Sequence, residues 1–248
     1  MELTRDDFMG GRLSVWQPKA GYRAGVDPVF LAAFVQARPG QSVLELGCGV
    51  GVAALALQAR VGGLDITGLE LQESYADLAR RNATETGLAM QVVTGDLTSM
   101  PPELRARQFD HVIANPPYYL RNGGSGADDT GRETALAEGT PLAAWIDAGV
   151  RRLLPGGHLS IIQNAERLPD LLAACDGRLG DIAVLPLHPR RQRPASLILL
   201  RARKGSGGAF RLLAPLILHE GDRHLRDGES YTATVRAILR EGAEFPFR

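Results

Sequence analysis

The tetrapeptide Asn115-Pro116-Pro117-Tyr118 carries the most specific chemistry in the chain. Asn before Pro is driven to an extended backbone, and two successive prolines remove two N–H donors and stiffen the chain beyond them. The result is a rigid mount for hydrogen-bond acceptors. The side-chain oxygen of Asn115 and the carbonyl of Pro116 can face the two hydrogens of one NH2 group, while Tyr118 offers a flat ring to a planar substrate. An exocyclic amine or amide nitrogen attacks poorly because its lone pair is delocalised. Two acceptors on its hydrogens favour tetrahedral character, localise the lone pair and aim it at an electrophilic carbon. Such a site needs no strong base, because the nitrogen becomes cationic and acidic once it has reacted.

A second constellation is Glu45-Leu46-Gly47-Cys48-Gly49-Val50-Gly51. It follows an apolar run and opens a helix-forming one, so its glycines remove Cβ atoms where the chain turns and a ligand approaches the backbone. Glu70 ends the next apolar run, 19 residues past Gly51, where a carboxylate can accept two hydrogen bonds from a ribose diol. The pairing indicates a nucleoside-containing cofactor. In a dinucleotide fingerprint, GxGxxG, the third glycine would come one residue later, which argues against a nicotinamide dehydrogenase. Glu45 would also repel a pyrophosphate, and it suits a cofactor with a cationic end. Gly95-Asp96-Leu97, an ordinary turn when taken alone, stands where a third strand should stop.

The elements that must position these groups alternate. Short apolar runs at 42–46, 66–70, 90–94, 111–114 and 159–163 read as strands. Amphipathic stretches at 52–59, 72–86 and 141–154 read as helices, the last closed by Pro155-Gly156-Gly157. A helix at 167–175, strands at 182–185 and 196–201, and a surface helix at 231–241 complete the pattern. Strands alternating with helices predict an α/β fold with a mostly parallel sheet covered on both faces. Ligands of such sheets bind beyond the carboxyl ends of the strands, at the switch point, where the glycine loop and the Asn-Pro-Pro-Tyr segment would meet. Residues 1–38, with a helix at 28–36, precede the sheet, and 119–140 is a polar, Gly-rich insert.

With ExGxGxG at 45–51, Glu70, Asp96 and NPPY at 115–118, the sequence resembles the class I amino methyltransferases of the NPPY group. More narrowly it is similar to the bacterial valine tRNA adenine N6-methyltransferase family, through Gly21-Tyr22-Arg23, Asp27-Pro28, Arg132, Glu138-Gly139-Thr140, Trp145, Leu216 to Glu220 and Tyr231-Thr232. The resemblance implies one doubly wound, Rossmann-like, mostly parallel seven-stranded domain over 1–248. It implies an S-adenosylmethionine site at Glu45, Gly47, Cys48, Gly49, Gly51, Glu70, Leu71, Asp96, Leu97 and Asn115. Arg23 and Asp27 in the 1–38 cap would add to that site, although Tyr22 reads equally as a packing aromatic. The catalytic residues would be Asn115, Pro116, Pro117 and Tyr118, and 119–140 would be a substrate loop. Tyr119, where such proteins often have Phe, and the extra Gly/Asp-rich tract at 122–131 depart from the family pattern. The expected reaction is adenine N6 methylation in tRNA, a flipped base stacking on Tyr118. A protein glutamine amide, or adenine in rRNA or DNA, fits the same two acceptors, and a binding module without turnover is the reading from another class.

Charge and composition bound these readings. Lys plus Arg and Asp plus Glu balance at 28 each, but 26 of the basic residues are arginines. From Ile182 to His219 there are seven basic residues and no acid, with Arg190, Arg191 and Arg193 in a cluster. Such a block is either an anion-binding surface, which would bind tRNA phosphates, or a solvated face whose acidic partners lie elsewhere in the fold. Cys48 and Cys175 stand far apart, and the five histidines contain no HxxxH pair, so no metal centre is expected. No segment approaches the ~18 uninterrupted apolar residues of a membrane helix. The N-terminus lacks the apolar stretch of a secretory signal, which predicts a cytoplasmic protein.

Overall fold

The computed structural model describes residues 2–118, 140–221 and 230–246. The expected substrate loop therefore lies outside the described residues apart from Thr140, and with it Tyr119, the tract at 122–131, Arg132, Glu138 and Gly139.

The chain opens with an antiparallel hairpin of β1 (Leu3–Phe8) and β2 (Leu13–Pro18), followed by α1 (Asp27–Phe34). The central sheet then builds from β3 (Ser42–Leu46), β4 (Asp65–Glu70), β5 (Gln91–Thr94), β6 (Phe109–Ala114), β7 (Leu153–Asn164), β8 (Leu179–His188) and β9 (Leu197–Lys204). Their order is β5-β4-β3-β6-β7-β9-β8, parallel from β5 to β7, with β9 antiparallel to both of its neighbours. The helices between them are α2 (Val52–Val61), α3 (Glu73–Thr86), α4 (Pro102–Arg105), α5 (Leu142–Arg152) and α6 (Leu168–Ala174), and α7 (Ala233–Arg236) comes late.

Nine strands pair where seven were expected, because β10 (Arg211–Leu212) and β11 (Leu216–Ile217) add to the outer edge of β8. Two residues are too short to show a period. The hairpin was also unforeseen. Leu13 and Val15 in β2 are fully buried and alternate with half-buried Ser14 and Trp16, but β1 carries Arg5, Asp6 and Asp7 and reads as polar. Pro155-Gly156-Gly157 does not end a helix. It lies inside β7, which pairs with β6 from Leu153 onward with a register shift between Phe109 and His111.

Apolar residues fill both sides of the sheet. One buried cluster joins Phe30, Phe34, Leu55, Leu57, Ile66 and Phe245, with Phe34 and Phe245 edge to face. The other joins Leu46, Phe109, Ala114, Trp145, Ile146 and Leu159. Burying such side chains contributes roughly 1.5–3 kcal/mol apiece. Asn82 of α3, 1% exposed, ties the hairpin to this frame: its Oδ1 accepts from Trp16 N–H (2.7 Å), and its Nδ2 donates to the carbonyls of Trp16 and Val50 (both 3.0 Å). Val50 lies in the glycine loop, so the hairpin and the loop share one anchor.

Candidate active site

Leu46 and Ala114 are register partners at the ends of adjacent parallel strands β3 and β6. Gly47 and Asn115 therefore leave the sheet side by side, on strands about 4.8 Å apart. Gly47, Gly49 and Gly51 have φ of +63°, +54° and +90°, a region that glycine enters without cost. A Cβ on Gly47 would also come within 2.6 Å of Trp145 Cη2 on α5. The Cys48 N–H donates to Leu69 O (3.0 Å) and the Gly51 N–H to Cys48 O (2.8 Å), closing the turn before α2. The Cys48 side chain faces inward: its Sγ would be 2.7 Å from a Cβ on Gly68, and burial holds the thiol well above its ordinary pKa.

Two carboxylates flank the loop. Glu70 Oε2 accepts from the Gly49 N–H (2.8 Å) and Oε1 from the Gln72 N–H (3.0 Å). Burial raises its pKa, while these bonds and one from Leu71 oppose the rise. Glu45, 3% exposed, accepts from the Ala54 N–H in the first turn of α2 (2.9 Å). Burial pushes Glu45 up to about 8, the Ala54 bond opposes the shift, and the negative charge of Glu70 adds to it. A buried acid whose charged neighbour has the same sign favours a cationic ligand, which would restore its ionised form. Asp96 is half-buried beyond β5 and accepts from the Thr98 N–H (2.7 Å), with Leu97 against the second core cluster. Leu71 is 57% exposed beside Glu70, an apolar surface open to one face of a flat ring.

At the end of β6 Asn115 is half-buried and Pro116 buried. The hydroxyl of Tyr118 donates to Asp27 Oδ2 (2.6 Å), at the start of α1. Burial and the Asp27 charge hold the phenol far above its ordinary pKa. Asp27 is itself raised by burial, and the Tyr118 bond opposes that shift. Tyr22 belongs to this group. Its phenol is raised by burial and by the charges of Asp27, Glu45 and Glu70, its Cε1 would lie 3.7 Å from a Cβ on Gly49, and its backbone N–H donates to Tyr75 Oη (3.0 Å). Arg23 is turned away: its guanidinium donates to Asp6, Thr4 and Pro18 O on the hairpin.

Sequence reasoning missed Gln163, the penultimate residue of β7. It is fully buried, and its Nε2 donates to the carbonyls of Pro116 (3.3 Å) and Pro117 (3.5 Å). A polar residue ending an apolar strand was the signal that could have found it.

The basic stretch divides. Because β6, β7 and β8 run in the same direction, the 189–196 loop after β8 lies at the same end of the sheet as Asn115, three strands along, with Arg191 and Arg193 exposed there. Arg190 is partly held by the Glu220 and Gly221 carbonyls. β9 runs back, so Arg203 and Lys204 sit at the opposite end, where they donate to Gly156 O (3.1 Å) and Leu153 O (2.7 Å). Arg201 donates to Gln36, and Arg211 pairs with Asp181 (2.8 Å). In the second half of the stretch Arg211 thus meets an acid, whereas Arg201, Arg203 and Lys204 are held by an amide and by backbone carbonyls. Among the described residues no group of three His, Cys, Asp or Glu side chains could hold a metal ion.

Residues 25–174 match the family described as methyltransferase small domain. The chain is 27% identical to the tRNA1(Val) (adenine(37)-N6)-methyltransferase of Dickeya chrysanthemi, over 96% of this chain and 94% of the relative. It is 30% identical to the protein of the same name from Porphyromonas gingivalis, over 81% and 86%. Among solved structures, a predicted O-methyltransferase of Agrobacterium tumefaciens superposes with a TM-score of 0.70 at 27% identity, covering 88% of this chain and 98% of that one. A 16S rRNA guanine N2 methyltransferase of Thermus thermophilus, in complex with AdoMet and guanosine, shares the fold at a TM-score of 0.57 and 19% identity, over 82% and 50%.

Proposed function

We propose, for a chain that belongs to the methyltransferase small domain family and within it to the tRNA1(Val) adenine N6-methyltransferases, transfer of a methyl group from S-adenosylmethionine to N6 of an adenine in tRNA. The relatives' names give that adenine as nucleotide 37 of valine tRNA. The observation that carries the reading is the side-by-side exit of Gly47 and Asn115 from β3 and β6, which puts paired acceptors for an NH2 group next to a glycine cradle with buried acids.

When bound, S-adenosylmethionine supplies a methyl group on a positively charged sulfur. The residues present fit it. Glu45 is a buried acid suited to the cationic methionine end, Glu70 retains lone pairs for ribose hydroxyls, and Leu71, Asp96 and Leu97 line the side where the adenine ring would lie. Asn115 Oδ1 and the Pro116 carbonyl accept the two hydrogens of the substrate N6, which localises its lone pair for attack. Methyl transfer to that nitrogen would leave the C–S electron pair on sulfur, and Asn115 and Pro116 would then hold the cationic nitrogen while it loses one proton to solvent. Tyr118, fixed through Asp27, gives the flipped base a stacking surface, and such stacking is worth ~1–3 kcal/mol. Arg191 and Arg193 meet phosphates at the rim. In this reading 1–248 acts as one domain in the cytoplasm, 1–38 covers the cofactor and 119–140 meets the substrate. Among the described residues no helix is long and apolar enough to cross a membrane.

The test is incubation with tritiated S-adenosylmethionine and, separately, total tRNA, DNA and protein from a strain lacking the gene. Label recovered as N6-methyladenosine from tRNA supports the reading. Label confined to protein would keep the Asn115 chemistry and overturn the RNA acceptor.

A further inference from the structure

Pro116 and Pro117 end the ladder between β6 and β7, because neither has an N–H to give. Ala114 pairs with Ile161, so continuing that register puts Pro116 level with Gln163. A buried carbonyl left without a donor costs free energy comparable to a lost hydrogen bond. Here the side chain of Gln163 takes the place of the ladder. Its Nε2 lies 3.3 Å from Pro116 O and 3.5 Å from Pro117 O. The amide is held in turn, since its Oε1 accepts from the Asn164 N–H (2.8 Å) and the residue is fully buried. Its neighbours in β7 are mostly apolar, with Leu159, Ile161 and Ile162 fully buried and only the small Ser160 polar among them, so a glutamine there is costly unless both ends of its amide are bonded.

We propose that Gln163 is a positioning residue for methyl transfer, which fixes the direction of the Pro116 carbonyl by occupying one of its lone pairs and leaves the other for the acceptor nitrogen. This rests on the function proposed above. Pro116 O is the acceptor with no side-chain torsion of its own, so its aim depends on how the peptide plane between Pro116 and Pro117 is held. Gln163 holds that plane from behind. The two long bonds from one NH2 group also tie consecutive carbonyls together, so the turn leading into Tyr118 moves as one piece.

Two variants separate positioning from packing. Gln163→Leu keeps the volume and removes both bonds. Its kcat should fall about 10- to 100-fold, the scale of a small misplacement of a reacting group. Its affinity for S-adenosylmethionine by calorimetry and its KM for tRNA should stay within about two-fold. Gln163→Glu is read through its pH profile. Protonated, the acid donates to Pro116 O and accepts from Asn164 as the amide does; ionised, it turns an oxygen lone pair on the carbonyl. The ratio of Gln163→Glu to wild-type activity should therefore rise as pH falls through the titration of that buried acid, which lies above the usual carboxylate range.

A Gln163→Leu protein that turns over at the wild-type rate overturns the proposal, as does a Gln163→Glu ratio that is flat with pH. If the wild type labels a protein amide rather than tRNA, the acceptor assignment fails, while the same two comparisons on that amide still decide the role of Gln163. A wild type that labels no acceptor overturns both.

Discussion

Glu45→Gln should make the cofactor-free protein more stable and a worse binder. The carboxyl is 3% exposed, accepts one backbone bond from Ala54, and has Glu70 as its charged neighbour. Its pKa is about 8 in the folded chain against an ordinary 4.5. A folded-state pKa raised in this way contributes stability that is fully present below the unfolded value and is lost as pH rises towards the folded one. Integrating the proton linkage from about pH 4 to about pH 7.5 gives a loss of about 4 kcal/mol. Glutamine reproduces the protonated form, since its carbonyl can still accept from Ala54, and it does not titrate. Urea unfolding of both proteins across that range should show the gap between them widening by about that amount in favour of the variant, a difference that cancels titrations elsewhere. Binding a cation ionises Glu45, so S-adenosylmethionine should release close to one proton at about pH 7, read from the buffer dependence of the calorimetric enthalpy, and bind the variant more weakly. Parallel stability curves for the two proteins would refute the argument, whatever their activities.

Asn115→Ala removes one of the two acceptors and should lower kcat by roughly 10²–10³, the scale seen when one preorganised polar group is lost, read in single-turnover assays at saturating cofactor. Gly47→Ala combines a residue at φ +63° with a Cβ 2.6 Å from Trp145 Cη2, so it should cost about 2–4 kcal/mol in unfolding experiments. Tyr118→Phe strips Asp27 of its donor and should cost about 1.5–3 kcal/mol. The Asp27 pKa, already raised, then rises further, so stability should fall more steeply with increasing pH in the variant than in the wild type, a comparison of urea midpoints. Replacing Arg191 and Arg193 together by Ala should weaken tRNA binding evenly across sequences and reduce the slope of log K against log salt by about one per lost phosphate contact.

The glycine loop and the Asn-Pro-Pro-Tyr turn were legible because each depends on unusual backbone carried by the residues themselves: positive φ at Gly47, Gly49 and Gly51, and absent donors at Pro116 and Pro117. The strands that mount them were legible as short apolar runs. Asn82 and Gln163 were not, because a buried amide is defined by partners far along the chain, 66 residues from Asn82 to Trp16 and 47 from Gln163 to Pro116. Nor could the fate of the basic stretch be read. Its seven residues look alike in sequence, but the reversal at β9 sends Arg203 and Lys204 to the far end of the sheet and leaves Arg191 and Arg193 at the end where Asn115 lies, three strands away. Arg23 and Asp27 show the same limit at short range, since four residues apart they face a hairpin salt bridge and the Tyr118 hydroxyl respectively.

Asp27, Glu45 and Glu70 come from three separate segments, yet their charges act on one phenol, that of Tyr22. Each acid is raised by its own burial, a cost in stability at neutral pH that the hydrogen bonds from Tyr118, from Ala54, and from Gly49 and Gln72 oppose. A ligand with positive charge relieves that cost wherever it touches the group, and the fold gains by RT ln(1 + [L]/Kd) on occupancy. Asp27 also holds Tyr118 and Gln163 holds Pro116, so the Asn-Pro-Pro-Tyr segment is braced from α1 and from the sheet. Preorganising both faces before a base arrives spends stability on geometry, which is where a reaction that needs no strong base has to find its rate.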